Sequence, residues 1–450
     1  MKIRHISLMM LLLCLGACSD FLDAKPDKAL LVPTTLNDME LLFNDDGRMN
    51  VTQGLGILSD DDHIITDVAW EALRTPTEKN TYIWAKDILE GTGTSQWNTA
   101  YEQVFNANVV LTGLENLKLK TGEEAQNKRL KGAAYFFRAW AYYHTASAFA
   151  AQYEFNTASQ KAGIPVYLIA DVNLRPGRGT LANIYAQIET DLKAAVENLP
   201  IITDYKTRPN RAAAFALQSR VYLSMAKYPE ASIAADSCLK YQNTILDYNT
   251  VIATAARPFN RNTNPEIIFQ NRVISFSVFT NTGTVITPSL FSSYSSNDIR
   301  RTAFFSTGVN GPLFKGSYDG TTNLFAGLSV DEVYLNRAEC RARANNMIGR
   351  MSDLNALLIK RFRTNTYVPL VAADANIALS LVLRERRKEL LFRGLRWTDL
   401  KRLNLESTLA VTLIRTLKGE TYTLLPNDKR YVLPIPDEEI NLGGLSPNDR

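Results

Sequence analysis

Histidine is scarce in this chain: 450 residues hold 3, at His5, His63 and His144. That is too few for a His-based metal centre or catalytic triad to be the default. Cysteine is scarce as well, with 4 in all, which excludes a small disulfide-framed architecture. Charge of one sign is missing too. Lys and Arg total 50 against 46 Asp and Glu, a formal net of +4, and nucleic acid is not the default partner at such a balance. No apolar run reaches the 20 or so residues that span a bilayer. There is no Gly-x-Ser-x-Gly, phosphate loop or paired Cys-x-x-Cys. These absences favour a binding or scaffold protein over an enzyme. What remains is an ordinary globular composition, 46% hydrophobic and 21% charged, which excludes disorder, collagen and coiled coil. The length fits about three average domains or one elaborated domain.

The first residues carry an export signal. Lys2 and Arg4 precede a short apolar stretch from Ile6 to Leu15, roughly half a bilayer span, and Gly16 and Ala17 follow. Residues 1–17 therefore read as a cleavable signal peptide. Leu15-Gly16-Ala17-Cys18 resembles a bacterial lipobox, in which Cys18 becomes the lipidated first residue of the mature protein. The alternative is a soluble secreted protein with a chance cysteine. Several acyl chains together anchor a protein stably, and here the lipid would be the only attachment. Export permits a disulfide between Cys238 and Cys340, but sequence does not show that they meet. Two separate small buried hydrophobes is the expectation.

Most of the body reads as paired helices. Leu181, Ile184, Tyr185, Ile188, Leu192, Ala195, Val196 and Leu199 recur at three- and four-residue steps, with Thr180 as N-cap and Pro200 as stop. Residues 211–226 form an Ala-rich helix, and Pro229 opens another after a Lys227-Tyr228 turn. The pair looks like a tetratricopeptide-type hairpin, although no strict 34-residue repeat is present. Further helices are expected over 97–117, 128–151, 330–345, 351–362 and 377–403. Two stretches differ in character. Residues 44–96 hold Gly, Asp and Thr turns around Trp70, Tyr82 and Trp84. Residues 242–328 are rich in Thr, Asn, Ser and Gly, interleaved with Phe276, Phe279, Phe291, Tyr294, Phe304, Phe305, Phe314, Tyr318 and Phe325. Ile267-Ile268-Phe269 could be a strand, but no sheet can be laid out. A loop-rich aromatic surface on a rigid frame is a common way to build a binding site, and the blander reading of each ring is local core.

The ordered motifs make a resemblance specific. Cys18-Ser19-Asp20-Phe21-Leu22-Asp23, Trp97 with Tyr101 and Asn108, Tyr135-Phe136-Phe137-Arg138-Ala139, and Gly163-Ile164-Pro165 come first. Arg211-Ala212-Ala213-Ala214 with Ser219-Arg220-Val221-Tyr222-Leu223 follows, then Asn297-Asp298-Ile299-Arg300-Arg301 and Glu332-Val333-Tyr334-Leu335. Glu385-Arg386-Arg387-Lys388-Glu389-Leu390-Leu391-Phe392 runs into Gly394-Leu395-Arg396-Trp397-Thr398-Asp399-Leu400, and Tyr431-Val432-Leu433-Pro434-Ile435-Pro436 closes the chain. Together they resemble the SusD/RagB family of outer-membrane nutrient-binding lipoproteins along nearly the whole mature chain. Three departures stand out. Arg393 and Ala133 replace residues that are usually Glu, and residues 441–450 lack the Gln-Asn-Pro ending.

The resemblance implies a mainly α, tetratricopeptide-like fold with an irregular ligand-binding face, in one domain over 18–450. The scaffold would be 97–241 and 329–405, and the variable ligand-binding segments 44–96 and 242–328. It implies a lipid-anchored protein facing the exterior of the outer membrane, which captures oligosaccharides and delivers them to a SusC-type TonB-dependent transporter. No cofactor and no metal is implied. Peptide capture in the same import role is the close rival, and a structural lipoprotein that binds only proteins is a third class. Fold can be inherited in this way, whereas the ligand cannot.

Catalytic readings compete poorly. Glu385 and Glu389 share a helix face, but Arg384, Arg386, Arg387 and Lys388 surround them, so structural ion pairs are expected rather than a glycosidase pair. Asp60-Asp61-Asp62-His63 has oxygens for a hard cation yet no Ca-loop spacing, and reads as a capping or turn cluster. His144, in an aromatic helix, reads as a satisfied core residue. Sugar faces stack on flat rings while short polar side chains bind hydroxyls. Trp70, Trp84, Phe291, Tyr294 and Tyr318, with Asn80, Asn297 and Asp319 beside them, are the candidates by segment and neighbours. The stretch 260–287 would suit a peptide equally well.

Overall fold

The computed structural model describes residues 33–346, 349 and 351–450. The signal segment 1–17 and Cys18 lie outside the described residues. Helices of eight residues or more are numbered α1 to α9; shorter ones are given by range. α1 (Leu36–Asn44) starts in a capping box, with Thr35 accepting from the Asp38 amide and Asp38 accepting from the Thr35 amide. α2 (Ser95–Asn116), α3 (Glu124–Phe149), α4 (Leu181–Asn198), α5 (Arg211–Ser224), α6 (Tyr228–Tyr241), α7 (Val330–Arg343) and α8 (Ala375–Glu389) follow, and along this series each helix packs on the next. The arrangement is a curved stack of helix pairs, as in solenoids.

Local chemistry accounts for these boundaries. Thr180 accepts a hydrogen bond from the Asn183 amide and starts α4 where the sequence places it. Ala226 adopts a left-handed φ of 57° between α5 and α6, the turn expected there. α3 and the end of α4 approach so closely that a Cβ at Gly132 would lie 2.8 Å from the Leu199 amide nitrogen. Only glycine allows that contact.

Two expectations need correction. The helix expected over 351–362 is confined to Ser352–Leu358. The helix expected over 377–403 is broken into α8 and α9 (Arg396–Leu403). Phe392 and Gly394, with φ of 57° and 75°, sit in the break, and left-handed residues cannot continue a right-handed helix.

The segments 44–96 and 242–328 are stitched to each other. The first holds the short helices Asp46–Met49, Leu55–Ser59, Asp67–Glu71 and Pro76–Tyr82, with strands β1 (Val51–Thr52) and β2 (His63–Ile65). The second supplies β3 (Ile267–Phe269), β4 (Arg272–Val273), β5 (Thr284–Ile286), β6 (Phe305–Gly308) and β7 (Gly311–Phe314). β1 runs parallel to β4, with Val51 opposite Arg272, and β2 runs antiparallel to β5, with His63 opposite Ile286. β3 is the strand suspected at Ile267-Ile268-Phe269 and pairs with β8 (Leu328–Ser329). β6 and β7 form a hairpin, as do β9 (Leu413–Leu417) and β10 (Glu420–Leu424).

The charged family-like motifs form a buried ionic lattice. Arg300 donates to Asp298 at 2.8 Å, Glu385 at 2.7 Å and Glu389 at 2.9 Å. Arg361 bridges Glu389 at 2.7 Å and Glu266 at 2.6 Å. Glu385 and Glu389 are thus structural ion pairs, as their cationic neighbours suggest. Arg393, one of the departures from the family pattern, lies 2.8 Å from Asp331 and 4.0 Å from the Tyr318 ring centroid. Burial penalises each of these charges, and the lattice offsets it by giving each charge a partner. Arg220 holds Glu332 at 2.7 Å, and His144 stacks beside it as a core residue; burial, and then Arg220, keep its imidazole neutral. Cys238 and Cys340 are both free and buried.

Candidate ligand-binding face

A cavity of about 390 Å³ opens between the β6–β7 hairpin, the loop after β4 and the break between α8 and α9. Its floor is the Phe392 ring, 7% exposed. Phe314 meets Phe392 edge-on at 5.1 Å, Phe279 lies 6.4 Å away, and His63 of β2 packs at 5.7 Å on another side. Phe392 holds its ring there at the expense of a left-handed backbone, a strain of about 1–3 kcal/mol that persists only where packing over-determines it. Phe279 and Phe314 are half-buried, so part of each ring faces the opening.

The walls above the rings are polar. Thr280, Asn281 and Thr282 lie on one side, and Ser306, Thr321 and Thr322 on others. Arg257 and Lys315 complete the lining. Lys315 donates to the carbonyls of Ala253 at 2.9 Å and Ala255 at 2.8 Å, which fixes the loop carrying Arg257. Burial, and after it the Arg257 charge, lower the Lys315 pKa. Rings below and hydroxyl and amide groups above suit a ligand with one apolar face and a hydrogen-bonding edge. Among the described residues no group of His, Cys, Asp and Glu could hold a metal ion.

The residues singled out from sequence scatter. Trp84, Tyr294, Tyr318 and Asp319 are 2%, 1%, 1% and 1% exposed, so they cannot present themselves to a ligand. Their polar atoms are occupied inside. Trp84 donates to the Ser59 carbonyl at 2.8 Å, and Tyr294 to the Lys388 carbonyl at 2.8 Å. The Tyr318 hydroxyl meets that of Tyr248 at 2.7 Å, and Asp319 accepts from Gln270 at 2.8 Å. Phe291 is half-buried, with the Arg301 guanidinium covering its face at 4.2 Å. Asn80 donates to Glu90 at 2.6 Å. Asn297 is exposed, in a separate groove beside Phe362 and Tyr367.

Asp319 and Tyr318 lie behind the wall, next to Ser317 and Thr321, and the Trp70 helix packs on it from another side. A Cβ at Gly283 would lie 2.3 Å from the Ala69 Cβ, so glycine lets the short Trp70 helix pack on the wall made by Asn281 and Thr282. None of the sequence-chosen residues lines the cavity itself. Phe279 and Phe314 pass the same test of an aromatic beside short polar residues, whereas Phe392 was concealed inside a scaffold motif.

Asp60, Asp61, Asp62 and His63 act as a tether rather than a cation site. Asp61 accepts from Arg396 at 2.7 Å and Asp62 from Arg387 at 2.8 Å. Burial would raise the Asp61 pKa, but Arg396 and Arg387 hold it down to about 2. Burial pushes Asp60 and Asp62 up to about 7 and His63 down to about 3.

Residues 20–223 match the model of a family described as starch-binding and associating with the outer membrane, and residues 330–446 match the SusD family model. The chain belongs to the SusD/RagB family. The stretch between the two matches carries most of the cavity wall. A SusD superfamily protein from Bacteroides thetaiotaomicron has 20% identity and a TM-score of 0.75 over 92% of this chain and 100% of its own. A SusD-like carbohydrate binding protein from Bacteroides vulgatus has 19% identity and a TM-score of 0.68, over 91% of this chain and 96% of its own. These likenesses show the fold, mainly helical and SusD-like. No curated protein matches the sequence.

Proposed function

We propose that this protein is a non-catalytic, surface-exposed lipoprotein that binds oligosaccharides in the Phe279–Phe314–Phe392 cavity and hands them to a TonB-dependent transporter of the SusC type. The observation that carries the reading is the cavity itself, with three rings under a rim of hydroxyl and amide groups, in a member of a family described as starch-binding and associated with the outer membrane. Rings below and donors above match a pyranose, whose C–H face is apolar and whose edge is hydroxylated. In this reading lipidation at Cys18 anchors the protein, and one domain over 18–450 carries both variable segments, a reading supported by the pairing of β1 with β4 and of β2 with β5. Peptide capture in the same import role, and a purely structural role, are the outcomes against which the reading is tested.

The experiment is a thermal-shift and calorimetric screen of the full-length protein in detergent, with mixed oligosaccharides in one arm and mixed peptides in the other. A ligand at about 100 times its dissociation constant adds roughly 2.7 kcal/mol to stability, readily seen in the midpoint. A shift with sugars that Phe314→Ala abolishes is expected. A shift with peptides alone overturns the sugar reading. Co-purification with a large TonB-dependent barrel tests delivery, and silence in both arms with only envelope proteins retained favours the structural role.

A further inference from the structure

We infer that the cavity selects an acidic oligosaccharide, one whose sugar units bear carboxylate or sulfate groups, through Arg257 acting with Lys315. This rests on the sugar-binding reading of the same cavity and adds the class of sugar. The cavity is lined by two cations and, among the described residues, by no Asp or Glu. Arg257 is exposed, and among the described residues its one hydrogen bond is a 3.5 Å contact to the carbonyl of Ala256, its own neighbour. Several buried arginines behave differently. Arg300, Arg361, Arg393 and Arg402 each sit within 3 Å of a carboxylate.

The carboxylate nearest to the rim in sequence, Asp319, is turned inward. It accepts from Gln270 and Thr321 and faces Arg261 at 3.5 Å. Nothing on the cavity wall therefore neutralises Arg257, and the neighbouring ammonium of Lys315 repels it. Lys315 has two of its three protons committed to Ala253 and Ala255, so the pair is held in place by the loop rather than by a counter-charge. A planar guanidinium beside a fixed ammonium matches the oxygens of a carboxylate or sulfate, and the ligand's anion removes the repulsion on binding.

Matched pairs of sugars test this on the full-length protein in detergent. One pair is oligogalacturonate and its methyl ester, which share a backbone and differ in charge. The other is a sulfated galactan oligosaccharide and its desulfated form. We expect the charged member of at least one pair to bind roughly tenfold tighter or more, and which pair responds separates carboxylate from sulfate. The preference should shrink as salt rises. Arg257→Gln should erase it, weakening the charged member roughly tenfold and the neutral member much less. Lys118→Gln, which removes an exposed charge between α2 and α3, should leave it intact and so excludes a general attraction of anions to a cationic protein.

Equal binding within both pairs, binding of neutral members alone, or an acidic preference that survives Arg257→Gln overturns the proposal and leaves the sugar reading standing. Binding of neither member of either pair overturns the proposal, and the sugar reading falls with it only where the mixed oligosaccharides are silent as well. Phe314→Ala should weaken charged and neutral members alike, which separates loss of the site from loss of its charge selectivity.

Discussion

Arg300 and Arg257 are the same residue type in two regions of one chain, and their surroundings are opposites. Arg300 is fully buried and shared by Asp298, Glu385 and Glu389; Arg257 stands at an open rim with no acid on the cavity wall. In the scaffold region, charge is consumed by folding. α7, α8 and the turn before Arg300 are held together by pairs whose desolvation is offset by other pairs. In the cavity region the rings are partly uncovered and the cations uncompensated, so charge and apolar area are left for something outside the chain. Glu385, Glu389 and Arg361 of the first region fall inside a family-model match, whereas every residue lining the cavity except Phe392 falls between the two matches, as do Glu266, Asp298 and Arg300.

The widest break in that contrast comes from Arg300→Ala, which leaves Asp298 and Glu385 to share Lys388 and Glu389 to rely on Arg361. Denaturant unfolding should show a loss of about 3–5 kcal/mol, the cost of uncompensated buried charge. Arg257→Ala should stay within about 0.5 kcal/mol in the same assay. A comparable loss at both positions would erase the distinction.

Next in size is a pH effect inside the lattice. Burial, against the pull of Arg361, pushes Glu266 up to about 7 from an ordinary 4.5. Its native form therefore holds the proton more tightly than the unfolded chain does. This group's contribution is fully present below pH 4.5 and is lost as pH rises to 7, by up to roughly 3 kcal/mol. The stability of the parent minus that of Glu266→Gln should fall across this window and be flat above it. A difference that does not change with pH would show that the lattice keeps Glu266 ionised.

Phe314→Ala should weaken sugar binding by about 1.5–3 kcal/mol in calorimetry, from the stacking area removed, with a smaller loss of melting temperature than a core ring would give. Thr180→Ala is the mildest: it removes the α4 cap bond and should lower stability by about 1 kcal/mol without touching binding.

How much of this was legible in the sequence follows the same division. α4 could be placed from its apolar spacing, Thr180 and Pro200, because caps and periodicity are local. The break after α8 could not. Leu390, Leu391, Phe392 and Arg393 are all compatible with helix, and only the packing of the Phe392 ring among Phe314, Phe279 and His63 imposes the left-handed turn. Tyr318 was misjudged for a related reason. Polar neighbours look alike in sequence whether they meet water or satisfy a buried hydroxyl, and here the partners, Tyr248 and Glu266, are distant in the chain. The lattice partners of Glu385 and Glu389 were foreseen in kind, since the cations beside them were visible, but Arg300 and Arg361 were not foreseen as those partners.

The pairing of β1 with β4 and of β2 with β5 has a consequence in time. Asn50 donates to the Gln270 carbonyl across 220 residues, and Asp62 and Asp61 wait for Arg387 and Arg396 across 325 and 335. Synthesis from the N-terminus makes the first members of these pairs long before the second. The segment 44–66 therefore starts as an unfinished edge, and α8 and α9 supply its last partners. A chain cut before Arg387 can still pair β1 with β4 and β2 with β5 but leaves Asp61 and Asp62 without their arginines, so the binding face sets only when α8 and α9 arrive.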